Sequence, residues 1–191
     1  FDGIELSALE GRSLKQFRHR MQMIFQDPYA SLNPRMTVYD TLAEPLLLHG
    51  LVNKAGLEQA IRELMDNVGL ARTFVRKYPH EFSGGQRQRI AIGRALATRP
   101  EFIVADEPVS ALDVTIQAQI LDLLADLTKE YGLTMLFISH DLAVSRQIAD
   151  RIAVMYLGKL VEEGATAQVF ETPQQDYTRS LLGAIPGANA A

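Results

Sequence analysis

Cysteine and long apolar runs are both missing from this 191-residue sequence. The lack of cysteine excludes a disulfide scaffold and thiolate metal sites, and it fits a reducing compartment such as the cytoplasm. The longest apolar runs, such as residues 46–48 and 102–105, fall far short of the roughly 20 residues that a membrane-spanning helix needs. The composition therefore predicts a globular domain with one sizeable core.

An excess of basic charge is missing as well, because the net charge is −4. No overall positive field draws the chain to nucleic acid or anionic lipid. One predicted helix carries Arg87, Arg89, Arg94 and Arg99, but no aromatic residues are interleaved with them. We interpret these arginines as a solvated face rather than a nucleic-acid surface, and we predict no nucleic-acid partner.

Short apolar runs and helical patterns alternate along the chain. The apolar runs predict buried strands at residues 21–25, 102–105 and 134–139, and a further strand at residues 152–156 that turns at Gly158. Apolar residues at helical spacing predict helices at residues 58–68, 84–98, 114–130 and 142–149, with Gly132 as a C-cap. The alternation indicates an α/β fold, with a parallel sheet core covered by helices. Such sheets bind ligands beyond the carboxyl ends of their strands.

Two adjacent acids, Asp106 and Glu107, follow the strand at residues 102–105. At this position Asp106 suits a magnesium ion beside nucleotide phosphates, directly or through water. Glu107 suits the orientation and polarisation of an attacking water. An acidic loop without a catalytic role is the alternative that these two residues alone leave open.

A second motif, Ser83, Gly84, Gly85 and Gln86, opens a predicted helix. Ser83 suits an N-cap, and the glycines let phosphate oxygens approach backbone N–H groups at the positive end of the helix dipole. A plain helix start is the alternative. Two glycines in a first turn cost about 1 kcal/mol each relative to alanine, however, which favours a ligand-binding role.

Three further polar residues lie in loops beside the predicted elements. Gln26 follows the strand at residues 21–25, where its amide suits contact with magnesium or water. His140 follows the strand at residues 134–139, where it suits contact with a γ-phosphate or an attacking water, although a structural histidine is equally compatible. Asp113 precedes the helix at residues 114–130 and also suits its N-cap.

Taken in order, these residues resemble the motifs of the ABC (ATP-binding-cassette) ATPases, which have a P-loop NTPase-type fold with an added helical subdomain. Gln26 is similar to the Q-loop, residues 83–86 to the signature, and Asp106 and Glu107 to Walker B with its catalytic glutamate. Asp113 is similar to the D-loop and His140 to the H-switch. The resemblance covers essentially the whole chain.

The resemblance implies ATP and Mg²⁺ as cofactors and a role for each matched residue. Glu107 and His140 would be catalytic, and Asp106 and Gln26 would lie at the metal through ATP or water. Nucleotide binding would fall to Gln26, Ser83, Gly84, Gly85, Gln86 and Asp113.

Three segments narrow the resemblance to importers of oligopeptides, dipeptides, nickel and glutathione. They are FQDPYASLNPR at residues 25–35, YPHEF at residues 78–82 and YTRSLLGAIP at residues 177–186. Gln175 and Asp176 depart from the pattern, since such tails usually read His-Pro there, and the lack of cysteine excludes the iron–sulfur cluster of some relatives.

Membership of this subfamily would make the chain part of an ATPase subunit at the cytoplasmic face of the membrane. Its partners would be a second ABC ATPase subunit arranged head to tail, transmembrane permease subunits and, indirectly, an extracytoplasmic solute-binding protein.

The phosphate-binding P-loop motif G-x-x-x-x-G-K-[ST] does not occur, since the Gly158–Lys159 pair is followed by leucine. The resemblance places the P-loop upstream of Phe1, so we expect an N-terminally truncated domain. Within it we expect a helical subdomain with the signature at residues 27–98, a core with Walker B and the H-switch at residues 99–165, and a C-terminal extension at residues 166–191.

Two other functions stay open. An ABC ATPase of DNA repair or chromosome maintenance would carry long coiled coils or zinc-binding cysteines between the motifs, and neither occurs here. A non-catalytic interaction module is the second alternative, and nucleotide binding separates it from an ATPase.

The 191-residue chain alone is expected to have no appreciable ATPase activity. Losing even one transition-state hydrogen-bond donor typically costs on the order of 100-fold in rate, and here a whole phosphate cradle is missing. Phosphate release by the pure chain, compared with the chain joined to its upstream residues, measures the difference. Magnesium-dependent turnover that Glu107→Gln abolishes would contradict the expectation.

Overall fold

Three of the predicted strands pair side by side in one parallel sheet. The computed structural model describes residues 1–184 and has the strand order β1 (Met21–Ile24), β2 (Phe102–Asp106), β3 (Thr134–Ile138). β2 lies in the middle, with Ile24 opposite Ala105 on one side and Ile138 opposite Asp106 on the other. Because the three strands run in the same direction, their carboxyl ends meet at one edge of the sheet.

Helices connect these strands, as parallel pairing requires, and further helices precede β1 and follow β3. In chain order they are α1 (Gly11–Arg18), α2 (Pro28–Ser31), α3 (Val38–Leu48), α4 (Leu57–Asn67), α5 (Gly84–Leu96), α6 (Val114–Tyr131), α7 (Leu142–Ile148), α8 (Thr166–Glu171) and α9 (Asp176–Gly183). Short 3₁₀ turns occur at Leu6–Ala8, Arg72–Arg76 and Pro79–Glu81. The four predicted helices are confirmed, with ends that differ from the prediction by at most two residues. No helix within residues 1–184 has both the length and the apolarity needed to cross a bilayer.

The chain divides into two compact units, Phe1–Ile138 and Ser139–Ala191. The first contains the parallel sheet and α1–α6. The second contains α7, α8, α9 and a separate pair of strands. The subdivision at residues 27–98, 99–165 and 166–191 stays a prediction, and residues 185–191 of the expected C-terminal extension lie outside the described residues.

Helix α5 packs at the centre of the helices of the first unit. Its residue Ile90 is buried, as is Met65 of α4. At Gly93 the neighbours come so close that a Cβ would lie 3.3 Å from Leu42 Cδ2 and 3.5 Å from Val68 Cγ1. The missing side chain of Gly93 therefore lets α3 and the end of α4 pack directly on the backbone of α5.

An antiparallel hairpin forms the sheet of the second unit. β4 (Arg151–Tyr156) pairs with β5 (Lys159–Ala165), and the turn between them has positive φ angles at Leu157 and Gly158. Ile152, Val154 and Val169 form the core of this unit. The alternation of helices and strands along the chain does not by itself distinguish such a hairpin from a further parallel strand.

The burial of β3 differs from the prediction. Its apolar run predicts a fully buried strand, but this is wrong, because Leu136 is 50% exposed and Ile138 is 42% exposed. Within the described residues, β3 is an edge strand that bonds to β2 alone. β2 is also less buried than predicted, since only Ile103 and Ala105 are fully buried in it. An apolar run indicates a strand suited to burial but does not reveal which strand takes the edge.

The end of α6 confirms the predicted C-cap. Gly132 has a left-handed φ of 62°, and its N–H donates to the carbonyl of Thr128. The N–H of Leu133 donates to the same carbonyl at 2.9 Å, so the end of the helix is closed by backbone hydrogen bonds.

Replacing Gly132 by alanine is expected to lower the free energy of unfolding by about 1 kcal/mol, because a Cβ disfavours the left-handed conformation. No neighbouring atom lies within 4 Å of the position such a Cβ would take, so the backbone alone causes the loss. Chemical denaturation followed by circular dichroism measures it. The matched control Asp126→Ala, exposed on the same helix, should stay within about 0.5 kcal/mol. Equal losses in the two variants would contradict the assignment.

Candidate active site

The carboxyl edge of the parallel sheet brings together three of the predicted site residues. Gln26 follows β1 by two positions, Asp106 ends β2, and Glu107 comes next. The side-chain Nε2 of Gln26 donates to Oε2 of Glu107 at 2.8 Å. Because β1 and β2 are paired in register up to Ile24 and Ala105, their adjacent ends place this amide beside this carboxylate.

Glu107 has an unusual backbone conformation that the sequence does not signal. Its φ of 43° lies in the left-handed region, which costs a residue with a side chain roughly 1–2 kcal/mol. Three contacts hold it there: its N–H donates to the Ile138 carbonyl at 2.9 Å, and its own carbonyl accepts from the Ser110 N–H at 3.2 Å and the Ser110 hydroxyl at 3.1 Å. Strain held in place by surrounding bonds is common at functional sites.

The carboxylate of Asp106 offers oxygen ligands of the kind that a divalent cation such as Mg²⁺ binds. It is half-buried and lines a groove that Gln26 also lines. Within the described residues no group of three or more histidine, cysteine, aspartate or glutamate side chains could hold a metal. Mg²⁺ is usually bound by one or two carboxylates together with phosphates and water, so this sparse set of hard oxygen donors fits it.

The predicted N-cap of α5 is present in full. Ser83 Oγ accepts from the N–H of Gln86 at 3.4 Å, and Gln86 Oε1 accepts from the N–H of Ser83 at 3.1 Å. Together they form a reciprocal capping box. Ser83 is exposed, so it can meet a ligand or partner as well as cap the helix.

The two glycines after Ser83 have a packing role that the sequence did not reveal. A Cβ on Gly85 would lie 2.4 Å from Ile116 Cγ2, and one on Gly84 would lie 3.3 Å from Leu112 Cδ2. Gly85 is buried against the first turn of α6, so any side chain at this position alters the packing of the subunit itself. The predicted approach of phosphate is therefore not needed to explain glycine at position 85.

Asp113 and His140 lie at the starts of two other helices. Asp113 Oδ1 accepts from the N–H of Ile116 at 3.1 Å and caps α6, as predicted. His140 belongs to the second unit, where it directly precedes Asp141, the N-cap residue of α7. The Asp141 N–H donates to Ser139 Oγ at 2.9 Å, which closes a tight turn around His140.

A groove extends from the carboxyl edge along β1, α2 and α3. Arg94 reaches it from α5 and donates from its Nη1 to the carbonyl of Ser31 at 2.6 Å. Burial lowers the pKa of the Arg94 guanidinium, and the charge of Glu44 partly offsets this. The predicted solvated face is therefore wrong at Arg94, and also at Arg87, which is buried. Phe25 and Leu48 line the same groove and are both exposed, so an apolar surface lies open beside Gln26.

The parallel sheet, the acids at its carboxyl edge and the capped glycine pair of α5 define an ABC ATPase-type domain of the P-loop NTPase class. The chain belongs to the ABC transporter family, whose profile matches residues 1–110. The resemblance in the sequence is thereby confirmed.

Two curated relatives are transport ATP-binding proteins. OppF of Bacillus subtilis, an oligopeptide transport ATP-binding protein, is 56% identical over 188 residues, which are 97% of this chain and 62% of that protein. GsiA of Pectobacterium atrosepticum, a glutathione import ATP-binding protein, is 52% identical over 189 residues, which are 99% of this chain and 30% of that protein. The chain thus spans less than two thirds of either relative.

Two solved structures share the fold. The ATP-binding cassette MJ0796, in a dimeric post-hydrolysis state bound to ADP and Pi, has a TM-score of 0.75 and 31% identity, covering 87% of this chain and 72% of that one. The protein cbiO1 of Clostridium perfringens, part of the ABC transporter complex cbiONQ, has a TM-score of 0.75 and 25% identity, covering 92% and 68%. The predicted α/β fold class is therefore confirmed.

Gly85→Ala is expected to destabilise the chain by roughly 1–3 kcal/mol, because its Cβ would overlap Ile116 and force α5 and α6 apart. The double variant Gly85→Ala with Ile116→Ala removes the overlap and should recover part of this loss relative to Ile116→Ala alone. Gly84→Ala is the matched control, since its Cβ would meet the flexible end of Leu112 at 3.3 Å. Denaturation midpoints measure all four proteins, and strict additivity of the two changes would rule the contact out.

Proposed function

We propose that the chain is part of an ATP-hydrolysing subunit that powers the import of peptides or related small solutes across the cytoplasmic membrane. The observation that carries this proposal is the hydrogen bond between Gln26 and Glu107 at the carboxyl edge of the sheet. The names of the relatives support it, since OppF is an oligopeptide transport protein and GsiA a glutathione import protein.

Glu107 is the general base in this proposal. Its half-buried carboxylate can accept a proton from, or polarise, a water that attacks the terminal phosphate of ATP. The Gln26 amide donates to Oε2 of this carboxylate at 2.8 Å and so fixes the position of the group. The His140 imidazole would contact the terminal phosphate or the same water.

Asp106 would hold Mg²⁺ together with the Gln26 amide oxygen, directly or through water. When bound, the ion neutralises negative charge on the phosphates during transfer. Asp106 would thus bind the cation, and the adjacent Glu107 would activate the water. A P-loop would cradle the phosphates, and its motif does not occur within the 191 residues of this chain.

A second ATPase subunit completes the site in this proposal. Ser83, Gly84 and Gln86 begin α5, where backbone N–H groups and the positive end of the helix dipole favour phosphate oxygens. We assign them, with Gly85 and Asp113, to a nucleotide held by the partner subunit in a head-to-tail dimer. The neighbour MJ0796 is dimeric with ADP and Pi, which supports such an arrangement.

Residues 26–51 are our proposed contact with the permease subunits. Exposed Phe25 and Leu48 line the groove described above, and Gln26 lines it beside Glu107. A permease segment that moves Gln26 would therefore move a direct partner of the catalytic carboxylate. The subunit would then lie peripherally on the cytoplasmic face of the membrane, with a solute-binding protein acting indirectly through the permease.

Glu107→Gln in the full-length subunit is expected to keep ATP binding while lowering hydrolysis by at least about 100-fold, since an amide cannot act as the base. Equilibrium binding of a fluorescent ATP analogue and phosphate release measure the two effects separately. Glu130→Gln makes the same chemical change at an exposed position of α6 and should leave both unchanged. Hydrolysis by Glu107→Gln at near the wild-type rate would exclude this residue as the base.

A further inference from the structure

The loop between Glu107 and Asp113 is tied to α6 by a side chain outside the motifs described above. Gln117 Nε2 donates to the carbonyl of Val109 at 3.0 Å and to the carbonyl of Leu112 at 3.0 Å. A primary amide nitrogen carries two hydrogens, so one Gln117 side chain satisfies both carbonyls at once. Gln117 is half-buried, and its bonds close a clamp across the loop.

The clamped loop is the segment that holds Glu107 in its left-handed conformation. The Ser110 N–H and hydroxyl both bond to the carbonyl of Glu107, at 3.2 Å and 3.1 Å. The Leu112 N–H donates to the Val109 carbonyl at 3.1 Å, which makes the turn compact. The bonds of Gln117 to Val109 and Leu112 therefore lie on either side of Ser110 along the chain.

The end of this loop and the first turn of α6 also pack against the start of α5. Leu112 approaches Gly84, and Ile116 approaches Gly85, at distances that leave no room for a larger side chain at position 85. Gln117 follows Ile116 in the first turns of α6, so the clamp and the contact with Gly85 share one piece of helix. A continuous series of hydrogen bonds and packing contacts thus joins the backbone at Glu107 to the glycine pair of α5 within one subunit.

We propose that Gln117 is a positioning residue for ATP hydrolysis, which holds the loop at residues 109–112 so that Glu107 keeps the geometry that its task requires. The proposal rests on the function proposed above, in which Glu107 is the general base. Gln117 touches neither nucleotide nor water in this role and acts through the backbone that it clamps. A side chain of equal length without N–H groups would remove the side-chain donor from both carbonyls, leaving Val109 with the Leu112 N–H alone, and would let the loop shift.

The test uses the full-length subunit with Gln117→Met, which keeps the length and helix propensity of the side chain but removes both donors. We expect kcat to fall about 10-fold, since misplacing a catalytic group by a fraction of an ångström slows the chemistry. The equilibrium affinity for an ATP analogue should stay within about twofold, because the loop does not hold the nucleotide. Gln119→Met, exposed on the same helix, is the matched control and should match the wild type.

A second variant, Gln117→Glu, separates clamping from simple packing. It preserves the shape of the side chain but turns a carboxylate oxygen towards the two carbonyls, so its kcat should fall below that of Gln117→Met. Equal kcat values for Gln117→Glu and the wild type would overturn the proposal, even if Gln117→Met failed to fold. A loss of kcat in Gln119→Met as large as that in Gln117→Met would overturn it as well.

The wild type and Glu107→Gln run in the same assay as references for the underlying function. Absence of turnover in the wild type, or full turnover in Glu107→Gln, would overturn the proposed function itself. Turnover that needs Glu107 but is indifferent to Gln117 would overturn only the positioning role.

Discussion

The pairing of β2 with a strand on each side is the interaction on which the rest of the site depends. β2 pairs with β1 up to Ile24 opposite Ala105, and with β3 up to Ile138 opposite Asp106. Both ladders run to the carboxyl end, so the residues that follow meet there without long loops. Gln26 reaches Glu107 from one neighbour, and the carbonyl of Ile138 receives the Glu107 N–H from the other. The left-handed backbone at Glu107 is thus held by the sheet as well as by its own loop.

Two glycines determine how closely α5 approaches its neighbours. Gly93 admits Leu42 and Val68 towards the middle of the helix, and Gly85 admits Ile116 at its start. Close packing of this kind transmits displacement, because interiors at native density deform little. The start of α5 therefore packs against α6, and α6 is hydrogen-bonded to the loop that follows Glu107. These contacts lie within one subunit and need neither nucleotide nor partner.

The sequence predicted the main elements because their signals are local. Strands at residues 21–25 and 102–105 are apolar runs, and Gly132 ends a periodic helix at a position where only glycine adopts the left-handed conformation easily. The location of Gln26 and Glu107 beyond the carboxyl ends of parallel strands also followed, whereas the hydrogen bond between them was not predicted.

What the sequence did not predict depends on contacts between distant residues. The exposure of β3 follows from its place at the edge of the sheet, which an apolar run does not specify. The packing of Gly85 requires knowledge that Ile116 lies opposite, and the bonds of Gln117 require the path of the loop in three dimensions. The positive φ of Glu107 has no residue-type signal, because glutamate rarely adopts it.

The edge position of β3 has a practical consequence for handling the chain on its own. Residues 134–138, Thr-Met-Leu-Phe-Ile, carry no charge and no proline, and Leu136 and Ile138 are exposed. Natural edge strands are usually shielded by a lysine, a proline, a bulge or a covering segment, because open backbone groups template the addition of another strand. An uncharged apolar strand of this length is also the type of segment that stacks into fibrils. We therefore expect the chain to self-associate through β3 at high concentration. A single charged residue at position 136 would oppose this association.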